Sequence, residues 1–256
     1  MRLTVLGSSG TYPAPGKACS GYLVVEGDTS LLLDCGPGVI ANLQVHATLE
    51  KLTGVIISHM HPDHFLDLVS LRYALTYGDH HRPRPLPVYL PPGGSEIWER
   101  VVAPLDESGG SFSASFDLSE YEEGESYRLG SLDIQPSAVR HYVSSYAFEV
   151  RAGARLVYSG DTGPCDELVR LARQADLFLC EATWLYENDE TPPRERGHLT
   201  AREAGEIARK ADVRRLLLTH ISPDVDARKI LEACRVAFGG EVSLAEEGQT
   251  YAVGKE

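Results

Sequence analysis

Short apolar runs that stop at glycine, serine or histidine recur along the whole chain. Leu3–Leu6 is apolar and ends in Gly7-Ser8-Ser9-Gly10, and a Pro/Gly-rich loop leads on to Gly21–Glu26 and Ser30–Leu33. The intervening Gly27-Asp28-Thr29 is a turn, so the two runs predict a hairpin. Asp34-Cys35-Gly36-Pro37-Gly38 breaks the strand, and a short helix through Gln44 follows. Gly54–Ile57 is a β-branched run that predicts a buried strand, ending at Ser58-His59. After His64, apolar residues at Phe65, Leu68, Val69, Leu71 and Leu75 keep helical spacing. The middle reads as strands at Val88–Leu90, Tyr127–Leu129, Leu132–Val139, Tyr146–Val150 and Leu156–Tyr158, with the acidic stretch Asp117–Glu125 as a solvated loop or edge. The last third alternates: helix Cys165–Arg173, strand Leu177–Cys180, helix Ala201–Lys210, strand Arg215–Leu218, helix Val225–Ala237 and strand Val242–Leu244. Thr200-Ala201-Arg202-Glu203 is a capping box at the start of the middle helix. Strands flanked by helices at both ends of the chain predict an α/β fold of two sheets covered by outer helices, and no linker or repeat divides residues 1–256 into more than one domain.

Composition narrows the function classes. The 24 basic and 37 acidic residues give a formal charge of −13, which opposes binding to an extended nucleic-acid backbone. Five cysteines, an odd number without a C-x-x-C pair, argue against a disulfide framework or a zinc ribbon and predict reduced core thiols. No apolar stretch approaches the length of a membrane span, and the apolar N-terminus is too short for a signal-peptide core, so a cytoplasmic location is expected.

The chemistry concentrates in Ser58-His59-Met60-His61-Pro62-Asp63-His64, directly after a buried strand. Residues two apart in an extended segment point the same way, so His59 and His61 can grip one ion while Asp63 and His64, at the turn into the helix, face a second. Three further apolar strands end in a potential ligand: His141, Asp161 and His220. Together these supply five imidazoles and two carboxylates, enough for a two-metal site with open positions.

These residues resemble the metallo-β-lactamase superfamily, whose H-x-H-x-D-H motif and later His, Asp and His occur here in order over about residues 1–245. The resemblance implies a four-layer αβ/βα sandwich holding two divalent ions, zinc first, with manganese or iron as alternatives. It implies His59, His61 and His141 on one ion, Asp63, His64 and His220 on the other, and Asp161 as the bridge. Leu6-Gly7-Ser8-Ser9-Gly10, Asp34-Cys35-Gly36, Ser159-Gly160-Asp161-Thr162, the run from Ala175 to Thr183, and Gly197-His198-Leu199-Thr200 look like the ribonuclease Z branch and its bacterial phosphodiesterase relatives. Among these, proteins associated with cyclic-nucleotide hydrolysis are the most similar, and homodimers are usual in the branch. One departure is that His141 and Asp161 lie only 20 positions apart, leaving no room there for the long Gly/Pro-rich arm of one tRNA-processing class.

The expected activity is hydrolysis of a small phosphodiester, such as a cyclic nucleotide, by a metal-activated hydroxide. The alternatives are a tRNA 3′-processing endonuclease and a thioester or lactone hydrolase. Beside the metal ligand Asp63, the resemblance offers two further catalytic candidates. His198 would be the general acid or, in the bland reading, an exposed loop histidine; Glu181 would orient it or pair with a nearby arginine. Asp34 is either an acceptor for a ligand imidazole or a turn-forming residue, and Arg82 and Arg84 either hold a phosphate or sit in an ordinary surface loop. His46, His80 and His81 lack a strand-end position and are assigned to the surface.

Overall fold

The computed structural model describes residues 1–80, 82–105, 115–185, 192 and 195–254. Two seven-stranded sheets form, in the orders β14-β1-β2-β3-β4-β5-β6 and β13-β12-β11-β10-β9-β8-β7. The first comprises β1 (Arg2–Gly7), β2 (Gly21–Glu26), β3 (Thr29–Leu33), β4 (Gly54–Ile56), β5 (Leu86–Leu90), β6 (Phe116–Glu120) and β14 (Thr250–Ala252). The second comprises β7 (Tyr127–Leu129), β8 (Leu132–Val139), β9 (Ser145–Arg151), β10 (Arg155–Tyr158), β11 (Leu177–Glu181), β12 (Arg215–Thr219) and β13 (Glu241–Leu244).

Side-chain alternation builds the layers. In β3, Leu31 and Leu33 enter the core shared by the two sheets, whereas Leu32 faces the helices outside the first sheet. In β11, Leu177 and Leu179 face the shared core while Phe178 and Cys180 face the helices outside the second. The helices over the first sheet are α1 (Val39–His46), α3 (Asp67–Tyr77) and α4 (Gly94–Val102). Those over the second are α5 (Asp166–Ala172), α6 (Ala201–Lys210) and α7 (Ala227–Phe238). The result is the expected αβ/βα sandwich. Four of the five cysteines are buried and Cys165 is partly so; all are free thiols, as expected. No described helix is long and apolar enough to cross a membrane.

The strands that carry the chemistry run parallel: β3, β4 and β5 in one sheet and β10, β11 and β12 in the other, so their C-terminal ends gather at one edge. In the acidic stretch the edge reading holds: β6 is the last strand of the first sheet, with Phe116 buried and paired in parallel with β5. Two further elements are absent from the sequence pattern. Helix α4 follows Pro91-Pro92-Gly93; Glu120 of β6 caps it from outside, accepting from the N–H groups of Gly93 and Ser95 at 2.9 Å each. β14 returns the chain end to pair with β1.

Candidate metal centre

After β4 the chain bends at Ser58 and runs to His61, whose backbone is extended and which is the residue before the four-residue helix α2 (Pro62–Phe65), with proline at its first position. Nε2 of His59 lies 3.1 Å from Nδ1 of His61, and Nε2 of His141 lies 3.0 Å from that same atom. Asp161 joins these three in one group of donors. A second group is Asp63, His64 and His220. Oδ2 of Asp63 is 3.2 Å from Nε2 of His220 and 3.7 Å from Nε2 of His64. Oδ2 of Asp161 lies 3.3 Å from His64 Nε2, 3.3 Å from His220 Nε2 and 3.7 Å from His59 Nε2, so it touches both groups.

The donor set fits divalent cations. Nitrogen lone pairs at hydrogen-bond distance from one another repel unless a proton or a cation stands among them. His64 Nε2 and Asp161 Oδ1 are moreover buried without a hydrogen-bond partner, a costly state for polar atoms unless something else satisfies them. Imidazole and carboxylate together suit zinc, manganese or iron.

The outward-facing ring nitrogens are already held. His64 Nδ1 lies 2.8 Å from Asp34 Oδ2, His141 Nδ1 2.6 Å from the carbonyl of Gly197, and His220 Nδ1 2.8 Å from Thr183 Oγ1. Such contacts fix the tautomer that leaves Nε2 for a metal. Asp34, fully buried, also accepts from the backbone N–H and hydroxyl of Ser58 and from the Tyr158 hydroxyl. Asp34 and His220 have φ of 57° and 52°, left-handed conformations that cost about 1–3 kcal/mol each and turn the side chains into the site. Burial pushes the pKa of His59, His61 and His141 down. Burial opposes protonation of His64 as well, but Asp161 and Asp34 outweigh it and hold that ring well above the usual range.

Glycines let backbones approach this closely. A Cβ on Gly10 would stand 2.8 Å from the His220 carbonyl oxygen, and one on Gly36 2.0 Å from that of Asp63. The loop carrying Gly10 also delivers the Thr11 N–H to Asp63 Oδ2 at 2.9 Å.

His198 lies at the edge of the same cluster, 13% exposed, with Nδ1 3.1 Å from Glu181 Oε1 and 3.9 Å from Asp161 Oδ2. Burial lowers its pKa, but the charge and hydrogen bond of Glu181, then Asp161, raise it to about 9. Glu181 has no arginine partner among the described contacts. It accepts instead from the backbone N–H groups of Thr162, Thr183 and Leu199 and from the Thr183 hydroxyl. The capping box at Thr200 forms as expected, and its Glu203 also pairs with the buried Arg196, which ties the segment before His198 to α6. Asp161, His198 and His220 form a third group of potential ligands, so His198 stands where either a proton donor or a ligand could act.

Arg82 donates to the carbonyls of Leu49 and Glu50, and Arg82 and Arg84 line a cavity of about 180 Å³ that contains none of the ligand set. His46 is exposed and His80 pairs with Glu50 at 2.8 Å, as surface residues do; His81 lies outside the described residues. The residues that the sequence pattern does not single out as parts of the site are Thr183, Thr11, Ser58 and Tyr158. Thr183 lies in a quoted motif, and its hydroxyl connects His220, Glu181 and His198.

A family model described as a beta-lactamase superfamily domain matches residues 29–221. An uncharacterized protein of Mycobacterium leprae, ML1173, is 41% identical, over 98% of this chain and 88% of that protein. The probable metallo-hydrolase YhfI of Bacillus subtilis is 31% identical, over 97% of this chain and 98% of that protein. The YhfI crystal structure superposes with a TM-score of 0.86, covering 98% of each chain. Ribonuclease Z of Haloferax volcanii is 28% identical, over 99% of this chain and 95% of that protein. A diphosphatase of the PhnP family, at 19% identity, covers 99% of this chain and 98% of its own with a TM-score of 0.79, and shares the fold.

Proposed function

The chain belongs to the beta-lactamase superfamily and has the metallo-β-lactamase sandwich fold; on that premise we propose that it is a dinuclear metal-dependent phosphodiesterase acting on a small phosphodiester such as a cyclic nucleotide. His59, His61 and His141 would hold one ion and Asp63, His64 and His220 the other, with Asp161 shared between the two groups and zinc the first candidate. Bound there, the ions would supply an activated water and positive charge for the phosphoryl oxygens.

The rest falls to the chain. The observation that carries the phosphodiester reading is the His198–Glu181 contact at 3.1 Å beside Asp161. An alkoxide leaving group needs a proton, and a histidine held protonated by a buried carboxylate at the edge of the ligand cluster can supply one. Glu181 fixes the ring through Nδ1. A thioester would release a thiolate that departs without such help.

The second reading, tRNA 3′-end processing, is favoured by the likeness to the Haloferax ribonuclease Z. Against it stand the charge of −13 and the occupation of the interval between His141 and Asp161 by β9 and β10, which leaves no arm there. We take the chain as one hydrolase domain that works as a homodimer.

The test is turnover by the metal-loaded protein on a panel of cyclic nucleotides, simple aryl diesters, precursor tRNA and a thioester. Hydrolysis of the small diesters is expected. Cleavage confined to precursor tRNA or to the thioester overturns the proposal.

A further inference from the structure

Two large aromatic side chains at the edge of the metal centre remain open to solvent: Tyr142 is 62% exposed and Trp184 45%. Both abut His198, with ring centroids 6.0 Å and 6.2 Å from the imidazole and interplanar angles of 69° and 74°. The Trp184 backbone is fixed to the His198 segment. The Trp184 N–H donates to the Leu199 carbonyl at 3.1 Å, and the Ala201 N–H donates to the Trp184 carbonyl at 2.8 Å. Tyr142 follows the candidate ligand His141, and one edge of its ring abuts Gly197, where a Cβ would come within 2.7 Å of two ring carbons. Neither ring is buried by the fold, yet both are tied to the His198 segment, Trp184 through its backbone and Tyr142 through its contact with Gly197, beside the group proposed to protonate the leaving oxygen.

Rigid, exposed aromatic rings next to a phosphate site are what a planar heterocycle stacks on. We propose that Tyr142 and Trp184 form a stacking platform for a nucleobase, so that the site takes nucleoside phosphodiesters in preference to base-free ones. This rests on the phosphodiesterase reading and adds the substrate class. Neither residue is a candidate ligand or proton donor; both act on substrate affinity.

The chain has two tryptophans, and the other, Trp98, is 2% exposed, so quenching by a ligand in solution reports on Trp184. Adenosine 5′-monophosphate should quench the metal-loaded protein saturably, and ribose 5-phosphate should not. The Trp184→Phe variant should lose the signal. Tyr142→Ala should weaken nucleotide binding roughly tenfold and Tyr142→Phe should restore it, since one base–aromatic stack is worth about that much. In turnover, Trp184→Ala should raise KM for a nucleoside diester and leave that for ethyl nitrophenyl phosphate unchanged. Equal quenching by ribose 5-phosphate, no effect of Tyr142→Ala, or equal KM changes on both diesters overturns the platform while leaving the phosphodiesterase reading intact. A change of oligomeric mass in the alanine variants without these nucleotide effects overturns it in favour of a subunit contact. Hydrolysis of no diester at all is the failure of the underlying reading.

Discussion

Nδ1 of His64 lies 2.8 Å from Oδ2 of Asp34, and neither side chain reaches solvent. The carboxylate thereby aims Nε2 of the ring at Asp161 and keeps it basic. Asp34→Asn retains the shape but loses the charge, and it should weaken metal binding by roughly 10–100-fold. Competition with a chelating dye measures this. Unchanged affinity would show that Asp34 only closes the turn after β3.

Among the described residues Asp161 is the one carboxylate whose oxygen reaches donors of both metal groups. Its negative charge would offset the repulsion between two cations, so Asp161→Ala should loosen both ions and cost more metal than loss of His61 or of His220. Metal content after dialysis is the measurement. Two tightly held ions in the variant would contradict the bridging role.

Much of this site is visible in the chain because a ligand at the end of an apolar strand leaves a local mark. His59, His141, Asp161 and His220 each follow such a run, and the same runs predict two sheets covered by outer helices. What supports the ligands leaves no such mark. The Tyr158 hydroxyl meets Asp34 across 124 positions, a pairing made only when the two sheets come together, and Thr183 meets His220 across 37, a pairing made only when β11 and β12 lie side by side. Helix α4 hides for a related reason, since its cap, Glu120, arrives from a neighbouring strand.

Metal uptake should release protons. Asp161 and Asp34 hold His64 protonated at neutral pH against its burial, whereas burial keeps His59, His61 and His141 neutral. Coordination through His64 Nε2 must expel that proton, so at least about one should leave per chain at pH 7, and affinity should rise with pH. Isothermal titration in buffers of different ionisation enthalpy counts the protons. Release of none would mean that His64 is not a ligand.

His198 is proposed to protonate the leaving oxygen when this metal centre cleaves a phosphodiester. The most direct measurement compares His198→Ala with the parent protein on two diesters, one leaving as a basic alkoxide and one as nitrophenolate, with metal content checked in both proteins. Expected are unchanged metal, a turnover loss of about 10²–10⁴-fold on the alkoxide diester, and a much smaller loss on the nitrophenyl diester, whose leaving group hardly needs the proton. Equal losses on the two diesters, or loss of metal together with activity, would contradict that role.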